Sequence, residues 1–228
     1  MKLLSEKELI WSTVVANSTM NRGRNASGLN SYEKEFRNRP EEFLQKHIAR
    51  FGHVKWLDLC CGEGKALVQS ALYLAQNKLQ QQAQLIGIDL VDGFQQIPPG
   101  VTCLRWTVKS VVDWVPDDKF DLITCVHGLH YVGDRLRVVQ RACQALTEEG
   151  IFMANIDLRN IRISSDNTNK YLRTRLIQNG LQYNARRKII TCVGHRQVEF
   201  GLQYEGADDK AGANYTGQEA VDAYYSIV

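Results

Sequence analysis

The sequence predicts an α/β fold: a seven-stranded, mostly parallel sheet with helices on both faces and an antiparallel hairpin at one edge. From Val54 onward, short apolar runs of strand length alternate with segments of helix length, which is typical of a parallel sheet covered on both sides. The last two apolar runs follow each other closely, as the strands of a hairpin do. With 228 residues, 44% hydrophobic and 23% charged, the chain suits one globular core with an appendage.

The segment before the sheet is predicted to contain two helical parts joined by a loop. Ser5 and Glu8 form a capping-box pattern, which starts a helix that reaches about Ala16. Residues 17–30 are polar, include two glycines and show no periodicity, so we expect a loop there. Helical spacing resumes after Pro40, whose missing N–H is tolerated in a first helical turn.

Seven strands and four further helices are predicted after this segment. The strands are expected at 54–59, 84–90, 101–108, 120–126, 150–156, 188–193 and 198–204, and the helices near 65–79, 135–146, 169–179 and 217–226. We therefore divide the chain into an N-terminal helical segment and lid loop (1–53), an α/β domain (54–205) and an acidic tail that packs on that domain (206–228).

Composition narrows the class of protein. No apolar run reaches the roughly 18 residues of a membrane span, and charges in the first seven residues argue against an export signal, so we expect a cytoplasmic protein. Six cysteines without CxxC spacing are expected to be reduced thiols. The net charge of +3 is unevenly spread: residues 159–196 hold nine Lys or Arg and one acid, and residues 197–228 hold one Lys and six acids. Either the acidic tail covers the basic segment, or that segment forms an electropositive rim for an anionic substrate.

Chemistry is expected at the carboxyl ends of the strands, where open α/β sheets bind their ligands. The first strand carries Asp58 and runs into a turn containing Gly62 and Gly64. The second strand ends at Asp89, a carboxylate placed to accept hydrogen bonds from ribose hydroxyls. Leu67 stands where a dinucleotide-binding motif requires its third glycine, which disfavours a nicotinamide cofactor.

Five segments in this order resemble the class I S-adenosylmethionine-dependent methyltransferases. They are residues 57–64, 87–89, 120–123, 129–132 and 146–153, within a resemblance that covers about 54–157; the terminal parts look like those of small uncharacterised bacterial members. The resemblance implies a Rossmann-like fold and S-adenosyl-L-methionine as the cofactor. It places Asp58, Cys60, Gly62 and Gly64 around the methionine end, Asp89 on the ribose, Leu90 on the adenine, and Val126 with His127 along the sulfonium.

The chain departs from the family pattern at two places. Cys60 stands where the family usually has glycine, so a thiol narrows the approach to the cofactor. Val108 and Lys109 stand where an acid usually lies near the adenine amino group, so adenine binding would depend on backbone and apolar packing at these positions.

His127 and His130 are the candidate catalytic residues, because a neutral imidazole suits proton transfer near pH 7 and both follow the fourth strand. The alternative is that they pack or cap the next helix. We predict no metal site, because His127 and His130 face the same way only in a helix. Tyr131 and Asn155 are candidates for contact with substrate.

A lid over the site is predicted in the loop before the first strand. Arg22, Arg24 and Tyr32 would touch the cofactor or the substrate, whereas the alternative is a solvated loop. The predicted activity is methyl transfer to a small-molecule acceptor by in-line displacement. The alternatives are an RNA methyltransferase of cap or tRNA type, with nucleic acid as partner, and a cofactor-binding protein without turnover. The sequence predicts no membrane partner and leaves the acceptor atom and the oligomeric state open.

Overall fold

The computed structural model describes residues 2–16, 23–164, 166 and 168–228. Its helices are α1 (Glu6–Leu9), α2 (Thr13–Ala16), α3 (Tyr32–Phe36), α4 (Pro40–Phe51), α5 (Lys65–Gln76), α6 (Arg135–Gln144) and α7 (Lys170–Gln178). Its strands are β1 (Val54–Leu59), β2 (Ala83–Asp89), β3 (Leu104–Val108), β4 (Phe120–Cys125), β5 (Leu146–Asn155), β6 (Ile161–Ile163), β7 (Gln182–Asn184), β8 (Ile189–Val193), β9 (Leu202–Asp208) and β10 (Asp222–Ile227). Short 3-10 turns lie at Gln80–Gln82, Gly128–Tyr131 and Leu158–Asn160.

The main sheet has seven strands in the order β3-β2-β1-β4-β5-β8-β7. The strands β1 to β5 pair in parallel, β8 is antiparallel to β5, and β7 is antiparallel to β8. This confirms the predicted α/β fold with an antiparallel hairpin at one edge. The chain order reverses between β1 and β4, and a ligand site is expected at the carboxyl ends of the strands beside such a reversal.

Alternate residues of β1 supply the cores on the two faces of the sheet. Trp56 is buried with the apolar sides of α4 and α5, and Leu57 is buried on the other face with α6 and α7. Five of the six residues of β1 are buried, as expected for a central parallel strand covered on both faces. This rigid strand therefore fixes the turn that follows Leu59.

The edge hairpin lies at a different place from the one predicted. It is formed by β7 and β8, and the predicted strand 198–204 overlaps β9, which belongs to a second sheet of order β6-β10-β9. The helix predicted near 217–226 is wrong, because this segment contains β10, which pairs in parallel with β6 and antiparallel with β9.

The N-terminal segment contacts both sheets. The capping box at Ser5 is present, but the single helix predicted to Ala16 is wrong: two four-residue helices form instead. Leu4 pairs with Ala207 of β9 through two backbone hydrogen bonds of 2.8 and 2.9 Å. Among the residues described, no helix has the length and apolar character needed to cross a membrane.

Candidate functional site

A cleft opens at the carboxyl edge of β1, β2 and β4. The empty volume of the cleft is about 780 Å³, and part of that volume is open to solvent. Its sheet side is formed by the turn after β1, the end of β2 and the segments that follow β3 and β4, and its outer side is formed by the N-terminal segment. The outer wall includes Glu6, Leu9, Ile10 and Val15. The N-terminal helices therefore cover the cleft, a role the sequence analysis assigned to the later loop.

Asp89 forms part of the cleft wall and is held by the backbone on both sides. Its Oδ2 accepts a hydrogen bond from the Gly62 amide (2.8 Å), and its Oδ1 accepts one from the Val91 amide (3.3 Å). Each carboxylate oxygen can accept a further hydrogen bond, because an ionised carboxylate has about four acceptor sites. Asp89 is therefore both oriented by the protein and able to bind a pair of hydroxyls.

Cys60 lies in the cleft wall with a left-handed backbone, at φ +55°. Glycine enters this region without steric cost, whereas other residues rarely do. A Cβ added to Gly128 would lie 2.2 Å from Cys60 Cβ and 3.0 Å from Cys125 Sγ, so the turns after β1 and β4 are in close contact. All six cysteines carry free thiols.

Gly64 lies behind the cleft and is required by packing. Its φ is +73°, and an added Cβ would lie 2.2 Å from Cη2 of Trp106. The Trp106 ring also fills the space above Gly87 and stacks on Phe94 with ring centroids 4.9 Å apart. Because Gly64 has no side chain, the indole of Trp106 can pack directly against the start of α5.

His127 connects the cleft to a buried polar cluster. It has a left-handed backbone at φ +58°, and such strain in a non-glycine residue is often found at functional sites. Its Nε2 lies 3.2 Å from Glu35 Oε1, which in turn accepts a hydrogen bond of 3.0 Å from Arg24. The pKa of Glu35 is lowered to about 2, chiefly by His127 and also by Arg24, against the opposing effect of burial. Glu35 is therefore ionised at neutral pH.

Asn155 and Tyr215 complete this cluster. Asn155, at the end of β5, accepts a hydrogen bond from the His127 amide (3.3 Å) and donates to Tyr215 Oη (3.4 Å) and Glu35 Oε2 (3.5 Å). The pKa of the Tyr215 hydroxyl is raised by burial and by the Glu35 carboxylate. Four separate parts of the chain therefore meet at one group of polar side chains.

His130 is buried beside His127 and Tyr215. Its ring centroid lies 5.7 Å from that of His127 and 5.5 Å from that of Tyr215. Burial, with the neighbouring charges of His127 and Arg135, lowers the pKa of His130 to about 3, so the ring is neutral at pH 7. Neither ring nitrogen has a hydrogen-bond partner among the described residues, and the same is true of Nδ1 of His127. The His127 Nε2 contact with Glu35 has an ion-pair distance without the alignment of a hydrogen bond.

Asp58 lies beneath the cleft and does not line it. This fully buried carboxylate accepts hydrogen bonds of 2.6 Å from the hydroxyls of Tyr32 and Thr124. Burial raises its pKa to about 7, although both hydroxyls oppose that shift. Tyr32 thereby fixes α3 to the central strand.

The other predicted site residues fall into three groups. Leu90, Val126 and Tyr131 line the cleft, and Tyr131 also donates a hydrogen bond of 3.0 Å to Gln218. Val108 and Lys109 have exposed side chains outside the cleft wall, which Ser110, Val111 and Val112 form in their place. Arg22 lies outside the described residues. Within the described part of the chain, no group of three or more His, Cys, Asp or Glu side chains is placed to hold a metal ion.

Sequence reasoning missed Glu6, Glu35 and Tyr215. Glu6 and Glu35 lie in helical segments rich in charge, and Tyr215 lies in a polar stretch between two strands. No local pattern distinguishes these residues from solvated side chains, since their partners are far away in the chain. Tyr32 was the one residue of α3 that the sequence analysis singled out, and its hydroxyl binds Asp58 beneath the cleft.

Comparison with known proteins gives a family match to residues 30–195, described as a methyltransferase domain. A 2-phytyl-1,4-beta-naphthoquinone methyltransferase of Arabidopsis thaliana chloroplasts is 28% identical over 102 residues, which cover 40% of this chain and 36% of that protein. The chain thus spans about a third of that curated relative.

A Listeria monocytogenes structure, described as a putative S-adenosylmethionine-dependent methyltransferase, aligns with 79% of this chain and 93% of its own (14% identity, TM-score 0.40). The plantazolicin methyltransferase BpumL in complex with SAH aligns with 50% of this chain and 44% of its own (17% identity, TM-score 0.38). The family match includes β1 to β8 and excludes α1, α2, β9, β10 and Tyr215.

Proposed function

Since the chain belongs to the family of methyltransferase domains, whose methyl donor is S-adenosylmethionine, we propose that it methylates a small molecule through the cleft described above. The observation that carries the proposal is Asp89, which lies at the end of β2 with both carboxylate oxygens oriented by backbone amides. A carboxylate at this point of an α/β sheet binds the two hydroxyls of a ribose. The fit to a nucleoside extends to the apolar wall, where Leu90, Val111 and Val112 offer a surface for adenine.

The bound cofactor supplies an activated methyl group on a sulfonium, so the protein has to align the acceptor and control its proton. His127 is the residue in position for the second task, because it lines the cleft and its Nδ1 has no partner among the described residues. His127 Nδ1 would accept the proton of the acceptor while the acceptor atom bonds to the methyl carbon and the bond from that carbon to the donor's sulfur breaks, so that S-adenosylhomocysteine leaves as a neutral thioether. The imidazolium charge is then stabilised by Glu35, which lies 3.2 Å from Nε2.

Glu35 acts in this mechanism as a positioning residue. It is held ionised chiefly by His127 and also by Arg24, and it faces one side of the His127 ring, so the opposite nitrogen is directed toward the acceptor. His130 is neutral and buried behind His127, and its unpartnered nitrogens are available to orient a polar group of the acceptor. The neutral imidazole is suited to hydrogen bonding in either direction.

The cofactor site is tested by calorimetric titration with S-adenosylmethionine and S-adenosylhomocysteine. We expect micromolar binding by the native chain and a loss of about 100-fold in Asp89→Ala, because two hydrogen bonds to a charged group, at about 1.5 kcal/mol each, are removed. Asp92→Ala is the matched control, since Asp92 is an exposed acid three residues further along. Absence of binding to either compound by the native chain would refute the proposal.

The role of His127 is tested by turnover in an acceptor screen with radiolabelled donor. His127→Ala should lower kcat by about 100-fold or more and leave the affinity for S-adenosylhomocysteine unchanged within about two-fold. A variant that turns over at the native rate would remove His127 from the mechanism.

A further inference from the structure

Part of the basic segment of the sequence lies beside the polar cluster, next to the end of β5 and the end of α3. Four of its cations, Arg159, Arg173, Arg187 and Lys188, form what we call the cationic rim. Lys188 and Arg159 both lie within ion-pair distance of Asp157, which follows Asn155 by two residues at the end of β5. The rim therefore begins next to the residue that connects His127 and Tyr215.

Backbone pairing fixes the rim against the site. The Ile156 amide donates to the Lys188 carbonyl (2.7 Å), and the Tyr183 hydroxyl donates to the Ile156 carbonyl (3.2 Å). The Arg173 guanidinium lies over the Tyr183 ring, 5.6 Å from its centroid. The pKa of Tyr215 is raised further by the charge of Asp157, which is consistent with the proximity of Tyr215 to this edge.

Arg187 closes the rim on the other side of the cluster. Its guanidinium donates to the carbonyls of Lys34 and Glu35 at the end of α3. These partners are neutral, so the positive charge of Arg187 is not cancelled by them. The rim thus reaches from the hairpin to the helix that carries Glu35.

The charges of the rim exceed the acids that face them. Asp157 is a single carboxylate, almost fully buried, and it is shared by Arg159 through Nε and Nη2 and by Lys188 at 3.7 Å. Arg173 faces a ring and Arg187 faces carbonyls. Among the described residues, Asp157 is the carboxylate that pairs directly with these cations, while the ionised Glu35 pairs with Arg24 and His127. The remaining donors of the rim are suited to an anionic group.

One further observation points to a ligand at this place. His130 is buried, yet both of its ring nitrogens lack a partner among the described residues, and an unpaired buried polar group is costly unless a ligand or water satisfies it.

We propose that the methyl acceptor is a small aromatic carboxylate, whose carboxylate binds the cationic rim while its nucleophilic atom faces His127. The rings of His127, His130, Tyr183 and Tyr215 supply the aromatic surroundings, and the rim supplies the counter-charge. This inference rests on the proposed function, since it takes His127 as the point of methyl transfer. It adopts the anionic-substrate alternative for the rim, whereas elsewhere in the basic segment Arg162 pairs with Asp222 of the acidic tail at 2.7 Å.

The proposal is tested on the full chain saturated with S-adenosylhomocysteine, by titration with 4-hydroxybenzoate and with 4-hydroxybenzamide. The two probes have the same shape and differ in charge. We expect the carboxylate to bind at least about ten-fold more tightly than the amide at low salt, with an advantage that falls as salt is added. In the double variant Arg173→Gln, Lys188→Gln the two probes should bind equally.

The control is Lys46→Gln, because Lys46 is an exposed cation on α4, on the other face of the sheet. It should retain the preference for the carboxylate. Equal binding of the two probes by the native chain, a preference that survives in the double variant, or failure of both probes to bind the S-adenosylhomocysteine complex would each overturn the proposal. Failure to bind S-adenosylhomocysteine itself would instead refute the proposed function, so the two outcomes are distinct.

Discussion

Two buried groups, Asp58 and His130, should change the free energy of unfolding in opposite directions between pH 5 and pH 7. The pKa of Asp58 is raised from 3.8 to about 7 by burial, so the folded protein keeps a proton that the unfolded chain has lost. Its stabilising contribution is complete below pH 3.8 and is lost as the pH rises through 7. The pKa of His130 is lowered from 6.5 to about 3, chiefly by burial, so its contribution is complete above pH 6.5 and is lost as the pH falls toward 3.

The magnitudes are nearly equal. Each pH unit over which the folded and unfolded states differ by a full proton changes the free energy of unfolding by about 1.4 kcal/mol. Both proton differences shrink near pH 7, so each group changes the free energy of unfolding by about 2 kcal/mol between pH 5 and pH 7. As the pH rises, stability is lost through Asp58 and gained through His130. In the native protein the two contributions should almost cancel.

Single substitutions should reveal the hidden dependence. Relative to the native chain, Asp58→Asn should become more stable by about 2 kcal/mol from pH 5 to pH 7, and His130→Phe should become less stable by about the same amount. The assay is urea unfolding at pH 5, 6 and 7, with the free energy taken from midpoint and slope. His53→Asn is the control for removing an imidazole, since His53 is exposed. If both variants follow the native pH dependence, neither group is titrating as its burial requires.

Three further perturbations test the site and its support. Gly64→Ala should lower the free energy of unfolding, measured in urea, by about 3 kcal/mol, because the added Cβ would clash with Trp106 and a left-handed alanine is strained. Gly212→Ala is the control: its φ is +81° and nothing lies within 4 Å of the added Cβ, so it should show the backbone strain alone, about 1 kcal/mol. Glu35→Gln should lower kcat by at least about ten-fold with unchanged affinity for S-adenosylhomocysteine and an altered pH–rate profile, whereas an unaltered profile would reduce Glu35 to a structural role. Tyr32→Phe should cost about 1 to 3 kcal/mol of stability, because a 2.6 Å hydrogen bond to a buried carboxylate is removed; an unchanged midpoint would contradict that contact.

The central sheet was predictable because its signals are local. Each of the first five strands is an apolar run, and the turn after β1 contains the glycines that a close strand-to-helix connection needs. The residues that line the cleft at the strand ends, Asp89 in particular, could be predicted directly from the order of the strands along the chain. Local pattern was sufficient here because the central strands β1 and β4 are buried on both faces and are therefore apolar along most of their length.

The C-terminal part was not predictable from the same signals. The segment of β10 was assigned to a helix, because the partners that make it a strand, β6 and β9, lie outside the segment. Glu35 and Tyr215 were missed for the same reason: each becomes recognisable only when Asn155 brings them together. The charge imbalance of residues 159–196 was visible, but its position around the site depends on the pairing of β5 with β8.

The pairing of β10 also has a consequence for the order in which the protein takes shape during synthesis. The Arg135 side chain donates to the Val221 carbonyl (2.6 Å), and the Val221 amide donates to the His130 carbonyl (3.0 Å), so the turn that carries His130 is anchored to a segment made about ninety residues later. Domains generally fold as units. The outer wall of the cofactor cleft depends on the same late segment, because Leu9 and Val15 pack with Ala207 and Val221. Both the cofactor cleft and the proposed acceptor side are therefore completed only after Val221 has been made, and a chain arrested before that point would lack the two together.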